Sequence, residues 1–243
     1  MFRKKTKNMG ENNMRIFSSC LEGIKEVERD LMEMGTRVKI ETYQDVNVKD
    51  KPGLSETLEL LAYSYEITNT SDKGELLKYM KANKEWVLRE FSERLDPDFI
   101  NPGEAWKLRR EVWEPFLHDG KFSYSYNERI QPQIDKIIEE LKIHPGSRQC
   151  VLPIFQPQDL DKFGKERIPC CIMYQFLIRK NKLNLIYTMR SSDLLTHLVY
   201  DIYLAISLQE YVAEKLEIDI GNFYHFISSL HAYRKDLEIR GIF

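Results

Sequence analysis

Two apolar runs, Met173 to Ile178 and Leu183 to Met189, are separated by the polar residues Arg179-Lys180-Asn181-Lys182. Branched and aromatic side chains dominate both runs, and the short polar break between them predicts a β-hairpin. A hairpin returns its last residue to the neighbourhood of its first. Cys170 stands just before the first strand and Arg190 just after the second, so a thiol and a guanidinium are expected to meet at the open end, a setting that suits a nucleophilic cysteine.

The rest of the chain is built around that hairpin. Apolar residues at Ile16, Cys20, Ile24, Val27 and Leu31, followed by Gly35, predict an amphipathic helix with a glycine stop. Alternation from Arg37 to Ile40, continuing into Thr42-Tyr43, predicts a strand. After a turn at Pro52-Gly53, Ser55 is expected to cap a helix through Leu58, Leu61, Ala62 and Tyr65. Glu75 to Phe91 reads as one further helix and Leu95 to Gly103 as a loop. A helix with Ile130, Ile134, Ile137, Ile138 and Leu141 on one face should end at His144-Pro145-Gly146. Cys150 to Phe155 reads as a short strand, and Gln156 to Lys165 as a polar loop. Asp193 is expected to cap a long helix to about Leu216, and Gly221 to restart a strand over Asn222 to Ser228.

With 243 residues, 42% apolar and 30% charged, one large domain over 14–243 behind a loose polar segment, 1–13, is the simplest organisation. A net charge of −2 with interspersed signs gives no footprint for nucleic acid. No apolar run is long enough to span a bilayer, and no apolar stretch follows the basic N-terminus. Cys20, Cys150, Cys170 and Cys171 show no zinc spacing, so neither a metal nor a disulfide framework is expected and a reducing, cytoplasmic setting fits.

The order of chemical groups is more specific. Pro169-Cys170 lies five positions before Gln175-Phe176, Arg190-Ser191-Ser192-Asp193 follows the hairpin, and His231-Ala232-Tyr233 closes the series. This resembles the pyrimidine-nucleotide C5-transferase core of the thymidylate synthase family. The resemblance implies an α/β (α+β) fold, a mixed twisted sheet flanked by helices in a single domain. It assigns Cys170 as the nucleophile, Arg190, Ser191, Gln175, His231 and Tyr233 to the nucleotide, and Asp193 to nucleotide and folate. Weaker matches extend it: Glu59-Leu60-Leu61 resembles the segment carrying the family's general acid/base, Trp113-Glu114-Pro115-Phe116 the Trp-x-x-Trp that lies against folate, and Tyr126-Asn127-Glu128-Arg129 falls where the family has Tyr-Gly-x-x-Trp. Pro145-Gly146-Ser147-Arg148-Gln149 resembles the loop that donates arginines to a partner subunit's phosphate, so Arg148 implies a homodimer.

Position 201, eleven residues after Arg190, carries Asp where thymidylate synthases carry Asn. A carboxylate accepts from the N4 amine of cytosine and repels the O4 of uracil. The expected reaction is therefore hydroxymethyl transfer from 5,10-methylenetetrahydrofolate to C5 of a cytidine monophosphate, dCMP before CMP, with Cys170, Glu59 and Asp201 catalytic and Trp113 and Asp193 on the folate. Ten residues follow Tyr233, whereas the family continues for several dozen that close over folate; the short tail leads us to expect a site open to water, the reactant a hydroxymethylase needs. Cys171 is expected to be a packing residue. A thymidylate synthase acting on dUMP and a non-catalytic nucleotide-binding relative remain the alternatives.

Overall fold

A computed structural model describes residues 14–40 and 56–239. In chain order it contains β1 (Arg15–Phe17), α1 (Cys20–Met34), β2 (Thr36–Lys39), β3 (Glu56–Ile67), α2 (Lys73–Tyr79), α3 (Lys84–Arg94), α4 (Arg110–Trp113), α5 (Tyr126–Ile143), β4 (Val151–Pro153), β5 (Cys171–Arg179), β6 (Lys182–Met189), β7 (Ser192–Asp193), α6 (Leu198–Leu216), β8 (Asp219–Tyr233) and α7 (Arg234–Ile239). The strands form one mixed sheet in the order β1-β3-β8-β6-β5-β4, with β2 added to β3 and β7 to β8. The β6 and β8 strands run parallel, so the chain must cross over between them, and α6 makes that crossing. The loose segment expected over 1–13, the strand extension at Thr42-Tyr43, the Pro52-Gly53 turn and the Ser55 cap lie outside the described residues.

The hairpin forms as expected. Lys180 and Asn181 both have positive φ, 51° and 56°, the twist that suits a two-residue hairpin turn. A row of rings crosses the sheet in register: Tyr65, His225, Tyr187 and Tyr174 on β3, β8, β6 and β5. The Tyr65 hydroxyl lies 2.7 Å from His225 Nδ1, and Tyr187 stacks on both His225 and Tyr174 at 4.7 Å. Burial pushes the His225 imidazole down to about 3, so the row is held by a neutral ring.

The sequence expectations need five corrections. Residues 56–67 are a strand, β3, and not a helix: Tyr63, Tyr65 and Ile67 alternate with Ser64 and Glu66, β8 supplies the paired backbone, and Leu61, assigned above to an apolar helical stripe, is 72% exposed. The first helix starts at Cys20 instead of Ile16, because Arg15–Phe17 pairs parallel with β3; Ser19 and Asp72 take up the helix's first N–H groups. The helix expected over Glu75 to Phe91 is two, α2 and α3, broken where Lys81 turns to φ 52° and Asn83 caps Trp86 N at 2.9 Å. Asp193 caps a turn, not the long helix: its carboxylate accepts from Leu195 N and Thr196 N at 3.0 and 3.3 Å, and α6 begins five residues later. The last strand is also longer than expected, since β8 runs on through His231 and Tyr233.

The 130–141 helix matches its expected face and is extended forward to Tyr126 by a capping box between Ser125 and Glu128. Among the described residues no helix is long and apolar enough to cross a membrane.

Candidate active site

The open end of the hairpin faces a cavity of about 740 Å³. Arg190 N donates to Cys170 O at 2.8 Å, which locks the two strand ends together. The Arg190 guanidinium then folds over the loop, with Nε on Pro169 O at 2.8 Å and one terminal nitrogen on Ile168 O at 3.2 Å and on Cys170 Sγ at 3.6 Å. Ser191 Oγ is the second donor to the sulfur, at 3.7 Å. The half-buried Cys170 thiol thus stands in the cavity wall with two donors converging on it. Cys171 is fully buried, and desolvation pushes its thiol well up, as befits a packing residue.

Asp201 enters the same cavity from the first turn of α6. Ser192 Oγ donates to it at 3.0 Å, and burial raises its carboxyl from 3.8 to about 6 against the opposing pull of Arg94, that hydrogen bond, Arg167 and Arg109. Asp193, His231 and Tyr233 also line the cavity; β7 and β8 set Asp193 beside His231, and the His231 and Tyr233 rings meet edge-on at 5.5 Å. Trp113 is in the wall, stacked on Trp86 at 6.1 Å, with the Arg167 guanidinium 4.3 Å from its ring centre. Cys170, Asp201, Arg190, Ser191, Asp193, His231, Tyr233 and Trp113 are therefore brought together.

Three expected site residues are not. Glu59 lies on β3 opposite His231, accepts from the Ser229 hydroxyl, and is outside the cavity wall. Gln175 alternates with the buried Tyr174 and Phe176 and so points to the other side of the sheet, where its amide donates to Arg148 O at 2.9 Å. Arg148 lies in a separate shallow depression with Glu140, His144 and Ser147.

In place of Glu59, α3 brings Glu90 and Arg94 into the wall, joined by a 2.8 Å bond from Arg94 Nε to Glu90 Oε1. Their four-residue spacing is the sequence signal that could have found them, an ion pair on a helix that also buries Trp86 and Val87. Tyr124 was missed too: its ring is in the wall, 3% exposed, and its hydroxyl has no partner among the described residues. Burial lifts that phenol to about 12. No group of three or more His, Cys, Asp or Glu among the described residues is placed to hold a metal ion.

The mixed sheet flanked by helices is an architecture also found in solved proteins. Thermostable thymidylate synthase A from Bacillus subtilis superposes with a TM-score of 0.64 over 90% of this chain and 82% of its own, at 17% identity, a likeness of fold. The sequence model of the thymidylate synthase family matches residues 39–240, and the chain belongs to that family. A putative thymidylate synthase of Methanocaldococcus jannaschii is 36% identical over 127 residues, 51% of this chain and 57% of that one. The thymidylate synthase of Francisella philomiragia is 27% identical over 173 residues, 67% of this chain and 57% of that one. The chain thus aligns with little more than half the length of these curated relatives.

Proposed function

We propose that this protein transfers a one-carbon unit to C5 of a pyrimidine nucleoside monophosphate, and that its base is cytosine, giving a (deoxy)cytidylate 5-hydroxymethyltransferase. The observation that carries the reading is Asp201 facing the same cavity as Cys170. The pyrimidine C5 is a poor nucleophile until a thiolate adds at C6, and Cys170, with Arg190 and Ser191 donating to its sulfur, is the group to do so. Ionised Asp201 accepts from the N4 amine and stabilises the proton on N3 once C6 is saturated. His231 and Tyr233 hold the sugar, and Arg190 and Ser191 the phosphate. Glu90 replaces Glu59 as the acid/base, because it is the carboxylate that α3 delivers to the wall. It takes the C5 proton and activates the water that completes the hydroxymethyl group.

The wall also suits a second planar ligand. Trp113, Phe116 and Phe122 offer rings, Arg167 lies over Trp113, and the buried Tyr124 hydroxyl has no hydrogen-bond partner among the described residues. When bound, 5,10-methylenetetrahydrofolate supplies the one-carbon unit. Arg148, outside the cavity of its own chain, fits a homodimer in which it serves the partner's phosphate. A reducing cytoplasm fits the four free cysteines.

A second reading, thymidylate synthesis from dUMP, is favoured by the names of the relatives and by the raised pKa of Asp201. A neutral carboxyl offers one donor and one acceptor, enough to pair with uracil O4 and N3–H. Release of tritium from 5-tritiated dCMP and dUMP, each with methylenetetrahydrofolate, separates the readings when the product is weighed by mass spectrometry. Release from dCMP with a hydroxymethyl product, lost in Cys170→Ser, is expected. Release from dUMP alone would overturn the base assignment, and release from neither nucleotide, nor from their ribose forms, would leave a nucleotide-binding relative.

A further inference from the structure

Two arginines of the cavity wall already have acceptors. Arg94 donates to Glu90 at 2.8 Å, and Arg190 donates to Pro169 O, Ile168 O and Ser191 Oγ as well as to the Cys170 sulfur. Arg167 is differently placed. It lines the same cavity, half-buried, three residues ahead of Cys170, and its guanidinium donates to no oxygen among the described residues. Its neighbours are rings: Cζ lies 4.3 Å from the ring centre of Trp113, 5.1 Å from that of Tyr124 and 6.0 Å from that of Phe116. Three carboxylates in the same wall are held elsewhere, Glu90 by Arg94, Asp201 by Ser192 Oγ, and Asp193 by Leu195 N and Thr196 N. A cation in a partly dry cavity with no anion beside it is costly, and an incoming anion relieves that cost.

The backbone that carries Arg167 is fixed. Three successive carbonyls are taken: Arg167 O accepts from the Ser123 hydroxyl, and Ile168 O and Pro169 O accept from Arg190. Lys162 Nζ in turn holds Ser123 O at 2.7 Å. The side chain therefore leaves a pinned loop and rests on rings, so its planar fork of N–H groups is set in place before any ligand arrives. Two more donors stand in this corner without an acceptor among the described residues, the hydroxyl of Tyr124, a residue 3% exposed, and Trp113 Nε1. A cation, a phenol and an indole N–H make a corner of donors alone, the complement of an oxyanion. While the guanidinium lies over Trp113, that face of the indole is closed, and a flat ligand there meets Arg167 instead of the bare ring.

We propose that Arg167 is a specificity-determining residue which, with Tyr124 beside it, binds an oxyanion carried by the second, aromatic ligand of the cavity. The naming of that ligand as a reduced folate, whose oxyanions are its glutamyl carboxylates, rests on the function proposed above; the oxyanion subsite does not. The phosphate of the nucleotide is the other oxyanion in the reaction, and it belongs to Arg190 and Ser191.

The test uses a matched pair of probes, 2-naphthoate and the uncharged 2-naphthamide, with binding read from the fluorescence of Trp86, Trp106 and Trp113, all in the cavity wall. Wild-type protein should bind the carboxylate at least about tenfold more tightly than the amide, as a charge-assisted hydrogen bond requires. Arg167→Gln should abolish that preference, Arg167→Lys should keep part of it, and Tyr124→Phe should reduce it about threefold. Tetrahydrofolate should lose at least about tenfold in affinity for Arg167→Gln, while dCMP stays within about twofold. A wild-type protein with no preference for the carboxylate overturns the proposal before any variant is made, and so does a preference that survives in folded Arg167→Gln. A loss that falls on dCMP and not on tetrahydrofolate would bring the nucleotide phosphate to Arg167 and overturn the assignment to the second ligand. A naphthoate preference that depends on Arg167, in a protein whose wild type binds no tetrahydrofolate, would support the oxyanion subsite and reject folate as its occupant, and with it the proposed function.

Discussion

Asp201→Asn should stabilise the protein, and by an amount that depends on pH. Burial raises the Asp201 carboxyl from 3.8 to about 6 in the folded state. A raised folded pKa means that the folded state binds the proton more tightly than the unfolded chain. The group's cost is therefore absent below pH ~3.8, where both states are protonated, and stability is lost as pH rises through about 6, where the folded state must hold a buried anion. Two pH units correspond to on the order of 3 kcal/mol once the loss is complete at pH ~8, and about 1.5 kcal/mol at pH ~5. Asparagine cannot ionise, yet its carbonyl can still accept from Ser192 Oγ, so the substitution removes the charge with little change of shape. Urea unfolding followed by the fluorescence of the three tryptophans should show the variant more stable, with a gap wider at the higher pH by about 1 to 1.5 kcal/mol. Equal gaps at the two pH values would refute the argument. The same variant should exchange its preference from cytidine to uridine nucleotides, because a carboxamide pairs with N3–H and O4 together.

Three further outcomes are expected. Glu90→Gln should lower C5 tritium release at least ~100-fold, while Glu59→Gln, outside the cavity wall, should stay within about threefold; the reverse order would return the acid/base role to β3. Arg129→Met removes the 2.8 Å ion pair to Asp159, which is 0% exposed, and leaves that carboxylate to Lys162 and Gln156 N; the loss of stability should be about 3 kcal/mol in urea unfolding, and a change under about 1 kcal/mol would show the pair to be dispensable. Ala62→Gly, at φ 52° on an exposed part of β3, should stabilise by about 0.5 kcal/mol, since only glycine adopts that backbone without strain; a lower unfolding midpoint would contradict this.

What could be read from the sequence was what the chain decides locally. The hairpin needs only its two runs and its turn, and once it is drawn, the meeting of Cys170 with Arg190 follows from geometry. Asp201 was found because its offset from Arg190 is short and lies in one continuous stretch. β3 was misread because Leu58, Leu61, Ala62 and Tyr65 mimic a helical period, whereas its state is decided by pairing with β8, far along the chain. Glu59 followed that error, since a three-residue likeness cannot say which carboxylate a cavity will hold. Gln175 went astray by one step of the pleat: its neighbours Tyr174 and Phe176 face the core, so it must face away. Tyr124 was invisible because nothing in a linear sequence shows that a phenol will end in a cavity wall, and the four-residue spacing of Glu90 and Arg94 marks an ion pair without saying that a cavity will hold it.

The ring row from Tyr65 to His225 also has a meaning for how the protein is made. Its first and last members are separated by 160 residues, and β8, the central strand that receives both β3 and β6, is synthesised after both of them. Until β8 emerges from the ribosome, β3 and β6 each present an unpaired edge, and His231 and Tyr233 are not yet there to complete the cavity. The nucleophile loop and its arginine can therefore be in place well before a site exists, and a nascent chain halted ahead of β8 would carry two sticky edges and no pocket.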